Sequence, residues 1–151
     1  MLITSSRKPS INTRSLCKNL ASFFHCENIN RGKMGMGEVL SLVESDPGPL
    51  LIVGEYHGNP GSLIFYTPDG RELLSIRTSV TTVKKLQKKV SPKILPVATG
   101  HGDIAPILAK ILAIQLVDEP SSPLVLEISD DQLDFFYEGQ ELFRLNIKTI
   151  R

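Results

Sequence analysis

The stretch Leu2-Ile3-Thr4-Ser5-Ser6-Arg7-Lys8-Pro9-Ser10 decides the fold, because it joins a short apolar strand to a helix through a basic loop. We predict the strand at Leu2–Ser5 and the helix from about Ile11 to Phe24. Ser10 or Asn12 is the candidate N-cap, since such side chains accept a hydrogen bond from the first N–H groups of a helix. The helix is amphipathic, and its apolar side is made by Leu16, Leu20, Phe23 and Phe24.

The same opening segment is strongly basic. Residues 1–33 hold six of the 17 Lys and Arg residues against one acid, Glu27, and these six are Arg7, Lys8, Arg14, Lys18, Arg31 and Lys33. Arg14 and Lys18 lie four apart, opposite the apolar side of the helix, and are expected to face solvent. A strand-loop-helix junction also presents backbone N–H groups and the positive end of the helix dipole. These features predict a site for phosphate groups, and RNA-backbone binding is the leading hypothesis.

The composition is that of an ordinary globular protein with one domain or two closely packed halves. The chain has 151 residues, of which 41% are hydrophobic and 22% charged. Its two cysteines, Cys17 and Cys26, form no CxxC motif and indicate a reduced intracellular protein, with Cys17 as a small buried residue of the helix. No apolar signal segment is expected, and the longest apolar run, residues 104–117, is shorter than the ~20 residues of a membrane span. We therefore expect a cytoplasmic protein without membrane contact.

Charge alternates along the chain. Net charge is +5 over residues 1–33, −4 over 34–83, +5 over 84–110 and −5 over 111–151, giving +1 for the whole chain. The alternation predicts either a basic and an acidic face or a mixed solvated surface. A basic amphipathic helix over residues 81–90, with Lys84, Lys85 and Lys88 on its polar side, is a second candidate contact for RNA.

The remaining segments predict further helices and strands. A short strand is expected at residues 28–30, followed by a turn at Arg31-Gly32-Lys33 in which Gly32 can adopt a positive φ. A second helix is expected over residues 37–45, followed by strands at Leu50–Tyr56, 62–66 and 72–78, with turns at 58–61 and 68–70. The continuous apolar run at the start of Leu50–Tyr56 is typical of a strand covered on both faces. A strand at 94–98 and a buried helix at 104–116, which Asp103 could cap, come next.

The end of the chain repeats an earlier pattern. The run after Leu124 resembles the run after Leu50, and residues 133–136 align with 63–66. Glu138-Gly139 aligns with Asp69-Gly70, and residues 141–143 align with 72–74. We infer an internal duplication with two similar α/β halves, each a mixed sheet with helices, over approximately 1–80 and 81–151 and joined near residues 79–92. The alternative is that any strand followed by a hairpin gives such a match.

Motifs for catalysis or cofactor binding are not apparent. The cluster around Gly35-Met36-Gly37 lacks the third glycine of a dinucleotide fingerprint, and there is no phosphate-loop lysine motif. The histidines lie far apart at His25, His57 and His101, so neither a metal site nor a nucleophile with its base is predicted. The aromatic residues most suited to stacking are expected in the core or on the sheet, which favours backbone and shape recognition; they are Phe65, Tyr66, Phe135, Phe136 and Tyr137.

Several of these stretches resemble one known family. Residues 3–10, Thr13-Arg14-Ser15 with Lys18, and Asn30-Arg31-Gly32-Lys33 resemble the opening of the Brix domain family. Residues 54–61, followed by 63–66, are similar to that family's central strand and hairpin. The family acts in ribosome biogenesis and binds precursor ribosomal RNA. The resemblance implies one Brix domain over residues 1–151, with two halves similar to the anticodon-binding domain of class IIa aminoacyl-tRNA synthetases.

The resemblance also implies which residues contact RNA. The family's basic N-terminal motif matches Arg7, Lys8, Arg14, Lys18, Arg31 and Lys33. Ser10, at the cap position of the helix, is a further expected RNA contact. The chain has no long basic tails and resembles the short archaeal form, which favours a cytoplasmic setting. The expected activity is non-enzymatic, with no cofactor, no metal and no small-molecule substrate. Precursor ribosomal RNA and other ribosome-assembly proteins are the expected partners.

Three alternatives remain open at this point. The first is a protein-interaction module that docks through the acidic segment 118–141 or an exposed strand edge. The second is a tRNA-binding module, suggested by the anticodon-domain analogy alone. The third is an RNA-processing enzyme whose site is assembled from residues distant in sequence.

Overall fold

A computed structural model describes residues 1–44, 48–80 and 90–151, and within these ranges the chain forms three helices and ten strands. The helices are α1 (Ile11–Phe24), α2 (Met36–Val43) and α3 (Ile104–Leu112). The strands are β1 (Leu2–Ser5), β2 (Glu27–Asn28), β3 (Leu50–Tyr56), β4 (Asn59–Tyr66), β5 (Glu72–Ser79), β6 (Val97–Gly100), β7 (Gln115–Leu116), β8 (Leu124–Ile128), β9 (Gln132–Tyr137) and β10 (Gln140–Ile150).

All the described strands belong to one mixed sheet, in the order β2-β1-β3-β4-β5-β10-β9-β8-β6-β7. From either edge inward, the sheet has a two-residue strand, a strand parallel to it, and then a strand that begins an antiparallel meander. The two runs meet in the middle, where β5 pairs antiparallel with β10. The strand order is therefore the same from both edges. The predicted α/β class with parallel and antiparallel pairing is confirmed, but the strands form one shared sheet rather than a separate mixed sheet in each half.

The helices cover the sheet unequally. α1 and α3 pack on one face, where α1 buries Leu16 and Phe23 and α3 buries Leu108 in one continuous core. α2 packs on the opposite face through Val39 and Val43. Successive residues of a strand point to opposite faces, so β3 serves both cores, with Leu51 and Val53 in the first and Leu50 and Ile52 in the second. The prediction that β3 is covered on both faces is confirmed.

The opening segment folds as its sequence predicts. β1 and α1 have the expected bounds, and Ser10 is the N-cap, with its hydroxyl oxygen accepting a bond from the Thr13 N–H. α1 ends where His25 adopts a left-handed conformation. Cys17 is buried at 2% exposure, and burial raises the pKa of its thiol to about 12. Gly32 has the positive φ of 52° that the predicted turn requires.

The predicted turn at residues 58–61 is wrong in its position. The chain turns at His57 and Gly58, whose φ angles are 51° and 77°, and β4 already begins at Asn59. Pro60 is tolerated within the strand because it lies at a register shift opposite Glu55. A proline has no N–H to donate, so such an irregularity is one of the few strand positions that suits it.

The second half differs from expectation in two elements. The helix expected at 104–116 ends at Leu112, because Ala113 turns left-handed with a φ of 55°. Gln115–Leu116 then forms the edge strand β7 beside β6, which itself begins at Val97, three residues later than predicted. α3 buries only one side, and Ile107 is 49% exposed.

Two further expectations concern the basic helix at residues 81–90 and the absence of a membrane-spanning helix. The basic helix at 81–90 falls almost wholly on residues 81–89, which lie outside the described residues. None of the helices in the described ranges is long and apolar enough to cross a membrane.

Candidate nucleic-acid interface

Two basic loops are tied together at one end of β1. The Lys8 N–H donates to the Gly32 carbonyl at 3.3 Å, and the Arg7 Nε donates to the Met34 carbonyl, also at 3.3 Å. Lys8 itself has a positive φ of 51°, so the loop turns sharply there. These contacts bring the β1–α1 loop and the loop at residues 31–34 side by side, although they are about 25 residues apart in sequence.

Arg31 holds these loops in place. It is 9% exposed, and its guanidinium donates to the Ser5 carbonyl at 3.0 Å and to the Met34 carbonyl at 2.6 Å. Burial lowers the pKa of this guanidinium, and the neighbouring charge of Arg7 lowers it further. Since two of its five N–H groups donate to carbonyl oxygens and the side chain is 9% exposed, the position of Arg31 suits a structural tie better than a contact with an external phosphate.

The N-terminal end of α1 is occupied by a carboxylate of the chain itself. The Ser10 N–H donates to Glu55 Oε1, from β3, while the Thr13 N–H donates to the Ser10 hydroxyl at 3.3 Å. Partial burial acts to raise the pKa of Glu55, but hydrogen bonds from Ser10 and Thr13 outweigh it, and the pKa is lowered. The expectation that this helix end offers free amides to phosphate is therefore wrong for Ser10 and Thr13, because Glu55 already supplies the anion there.

A polar cleft lies along the solvent side of α1. Its volume is about 310 Å³, and α1 contributes one wall while the ends of β1 and β2 contribute the other. Arg14 and Lys18 are exposed on α1, as predicted, and both line the cleft. The other lining residues are Ser5, Cys17, Asn28, Ile29 and Asn30. The cleft thus combines two cations with amide and hydroxyl groups, which are the usual partners of phosphate oxygens.

The cations of this cleft have no ion-pair partner among the described residues. In the described part of the protein, ion pairs are made by Arg144, with Asp134 at 2.5 Å and with Glu141 at 3.4 Å, and no described carboxylate pairs with Arg14 or Lys18. Two like charges four residues apart on a helix repel each other. An anion in the cleft would remove this repulsion.

The other described residues singled out from the sequence as RNA contacts do not line the cleft. Arg7, Lys8 and Lys33 are exposed on the two tied loops. Lys84, Lys85 and Lys88 lie outside the described residues. Sequence reasoning missed Asn28 and Asn30 as cleft residues, because their role depends on β2 lying beside β1 and facing α1.

Nothing in the described residues points to metal binding. No group of three or more His, Cys, Asp or Glu side chains is placed to hold a metal ion within the ranges that the structure covers. The buried Cys17 thiol, with its raised pKa, stays protonated at neutral pH and is a poor nucleophile.

Comparison with known proteins identifies the family. The chain is 46% identical over 151 residues to the probable Brix domain-containing ribosomal biogenesis protein of Methanococcoides burtonii, covering 100% of this chain and 96% of that relative. This chain belongs to the Brix domain family. The corresponding Brix protein of Methanosarcina mazei is 42% identical over 157 residues, with 100% and 99% of the two chains covered. No family model matches the chain.

Two solved structures have the same fold as this Brix protein. The crystal structure of Mil, an archaeal Imp4-like protein, matches with a TM-score of 0.79 and 28% identity, over 100% of this chain and 99% of that one. A probable ribosomal biogenesis protein from Aeropyrum pernix has the same fold, with a TM-score of 0.76 at 20% identity and coverage of 97% and 93%. The protein is therefore a ribosome biogenesis protein of the Imp4-like kind, from a family that is non-enzymatic.

Proposed function

We propose that this Brix protein binds precursor ribosomal RNA during RNA processing and subunit assembly, with the phosphate backbone in the cleft along α1. The observation that carries the proposal is the pair Arg14 and Lys18, exposed in a polar cleft without a described carboxylate partner. Clustered cations flanked by amide donors are the usual features of backbone recognition, which supplies most non-specific affinity for nucleic acids.

The basic residues are assigned different roles in this proposal. Arg14 and Lys18 contact phosphate directly, and the exposed Arg7, Lys8 and Lys33 extend the basic surface on the neighbouring loops. Ser10 and Arg31 act indirectly, since Ser10 caps α1 and Arg31 joins the loops. Lys84, Lys85 and Lys88 remain a second proposed contact with RNA.

The duplication is part of the same proposal. We infer that residues 1–80 and 81–151 descend from one repeated unit and together make a single Brix domain. The identical strand order from the two edges of the sheet supports this inference. The likeness of each half to the anticodon-binding domain of class IIa aminoacyl-tRNA synthetases stays a prediction. The expected setting is the archaeal cytoplasm, with ribosome-assembly proteins as further partners.

Charge reversal tests the site. Arg14→Glu with Lys18→Glu should weaken binding to a precursor ribosomal RNA fragment without unfolding the protein, because both side chains are exposed. The matched control is Lys93→Glu with Lys110→Glu, which reverses two exposed lysines outside the cleft. Fluorescence anisotropy gives the affinity, and circular dichroism checks the fold.

Salt dependence gives the second readout. If Z phosphates are neutralised, log K falls with log salt at a slope of roughly −0.7Z to −0.9Z. The Arg14/Lys18 variant should therefore show a shallower slope than the wild type, by roughly 1.4 to 1.8 if each side chain neutralises one phosphate. Equal affinities and equal slopes for the two double variants would refute the cleft assignment. Preferred binding of tRNA, or specific cleavage of the RNA, would favour the alternative functions.

A further inference from the structure

A second cleft lies at the tip of the β3–β4 hairpin, beside the end of β5 and the part of β10 next to it. Its volume is about 350 Å³, within the range of roughly 300–1,000 Å³ typical of ligand pockets. Arg77 and Lys148 bring two cations to its wall, and both side chains are exposed. None of the described lining residues is acidic. The cleft therefore favours an anionic ligand.

An exposed aromatic pair stands in this cleft. Tyr56 is 61% exposed, and the ring of His57 meets it edge-on, with 4.1 Å between the ring centroids. The Arg77 guanidinium carbon lies 5.8 Å from the centroid of the Tyr56 ring, which is a cation–π contact. An aromatic ring with a cation beside it and one side open to solvent is how proteins stack an unpaired nucleic-acid base.

Gly61 lets β4 pass close to β3 at residue 56. A Cβ atom at Gly61 would lie 2.6 Å from the Tyr56 Cβ and 3.1 Å from the Tyr56 backbone nitrogen. Real Cβ atoms essentially never approach within 3.0 Å, so position 61 requires glycine beside any side chain at residue 56. Tyr56 itself stays 61% exposed at the end of β3.

The two clefts flank the first turn of α1. Asn12 Nδ2 donates to Asn59 Oδ1 at 2.8 Å, and Asn59 lines the second cleft. Arg14, in the first cleft, follows Asn12 by two residues, so the two side chains point to nearly opposite sides of the helix. The two clefts are therefore separate sites on either side of the start of α1.

We propose that this second cleft holds one unpaired RNA base stacked on Tyr56, with Arg77 and Lys148 neutralising the adjacent phosphates. The proposal rests on the proposed RNA-binding function and adds base recognition to the phosphate contacts of the first cleft. It departs from the sequence-based expectation of recognition by backbone and shape alone. That expectation named aromatic residues such as Tyr66 and Tyr137, which are partly buried, whereas Tyr56, at the end of β3, is open to solvent.

A pair of oligonucleotides separates base stacking from phosphate binding. The probes are a single-stranded oligoadenylate of about 12 nucleotides and an abasic oligomer of the same length. The wild type should bind oligoadenylate more tightly, by roughly 5- to 150-fold, since that is the range for stacking one base. Tyr56→Ala should abolish this preference, while Tyr56→Phe should keep it. Arg14→Glu with Lys18→Glu should weaken binding of both oligomers by the same factor.

Tyrosine fluorescence reports where the base lies. The chain has three tyrosines and no tryptophan, so tyrosine emission is observable directly. Oligoadenylate should quench part of the wild-type emission. Tyr56→Phe should lose this quenching while it still binds, and the matched control Tyr137→Phe should retain it.

Each contrary outcome has a distinct meaning. Equal binding of the two oligomers by the wild type would overturn base stacking and leave the phosphate proposal standing. If neither oligomer binds, both proposals fail. A short polyglutamate that quenches Tyr56 where oligoadenylate does not would assign the cleft to an acidic protein segment, and would also overturn the proposal.

Discussion

Glu55 is the residue on which the start of α1 depends. It lies on β3 and accepts a hydrogen bond from the Ser10 N–H, so that it places a negative charge at the positive end of the helix dipole. The pKa of Glu55 is lowered, which means that folding favours the ionised carboxylate. The stabilisation is therefore present above the ordinary pKa of a glutamate and is lost as the pH falls through the lowered value.

Glu55→Gln should lower the free energy of unfolding by about 1 kcal/mol at neutral pH, a modest value because the carboxylate is partly exposed and screened by solvent. Urea unfolding of both proteins between neutral and acidic pH measures the difference. The two curves should converge in acid, where Glu55 is protonated. A difference that grows on acidification would contradict this role.

Thr78, unlike Glu55, is a buried polar residue whose hydroxyl group has no hydrogen-bond partner among the described residues. It is 5% exposed, and its hydroxyl oxygen has no hydrogen-bond partner in the part of the chain that the structure describes. Thr78→Val removes this group and should raise the free energy of unfolding by about 1 kcal/mol.

Thr4→Val is the matched control for this substitution. Thr4 is also buried, but its hydroxyl donates to the Ile29 carbonyl at 2.9 Å. The same chemical change should therefore destabilise the protein by about 1 kcal/mol at Thr4. Denaturant unfolding of both variants gives the sign of each change in the free energy of unfolding. Changes of equal sign would refute the view that the Thr78 hydroxyl has no hydrogen-bond partner.

Which residues could be predicted depends on how far their partners lie along the chain. The Ser10 cap, the positive φ of Gly32 and the burial of Cys17 follow from local pattern and were correctly predicted. The roles of Glu55 and Arg31 could not be predicted, because each depends on a contact with a residue 26 to 45 positions away.

At the scale of elements, α1 packs against strands of both ends of the chain. Phe23 is 1% exposed and meets Phe135 of β9 edge-to-face, with ring centroids 4.9 Å apart, and Phe135 stacks on Phe143 of β10 at 4.2 Å. Edge-to-face pairs of this kind contribute beyond the area they bury. α1 therefore fastens the first segment of the chain to its last two strands.

Phe23→Ala should lower the free energy of unfolding by about 3–5 kcal/mol, since it leaves a cavity where three aromatic rings meet. Ile11→Ala is the matched control, because Ile11 belongs to the same helix and is 72% exposed. Its effect should stay within about 0.5 kcal/mol. Similar losses for the two variants in urea unfolding would contradict this packing.

Element boundaries were less predictable than element type. The helix expected at 104–116 was too long because an apolar sequence favours helix and edge strand alike, and the left-handed Ala113 carries no local signal. The hairpin turn was misplaced because Gly58, Pro60 and Gly61 all favour turns, whereas the register shift opposite Glu55 accommodates Pro60 within β4.

At the scale of the whole molecule, the two halves share one sheet and one continuous core. β5 pairs with β10 at the centre, and the Ser75 and Arg151 backbones exchange hydrogen bonds at 2.9 and 2.8 Å. The core that α1 and α3 cover includes residues from both ends of the chain. Although each half has a full set of strands, neither is packed independently of the other.

The protein should therefore unfold in a single cooperative transition, despite the repeated strand order. Circular dichroism at a helix wavelength and tyrosine fluorescence should give coincident urea curves. Two separated transitions would mean that the halves are independent folding units, and that the pairing of β5 with β10 does not couple them.

The repeated order of strands could be predicted from the sequence, but the clefts could not. The repeated strand and hairpin patterns, aligned at Leu50 and Leu124, predicted the order in which strands recur. The cleft along α1 depends on β2 joining the sheet beside β1, which places Asn28 and Asn30 across from Arg14. A short strand was predicted at residues 28–30, but so short a segment gives no signal of which strand it pairs with.

The short strands β2 and β7 at the margins of the sheet have a consequence for behaviour at high concentration. A ten-stranded sheet would normally present two long rows of unpaired N–H and C=O groups, which are templates for aggregation with other chains. In this protein each margin is two residues long, and the long strands all lie inside. Edge-to-edge pairing with another chain therefore has only two residues of strand to start from at each margin, which lowers the tendency of this sheet to aggregate.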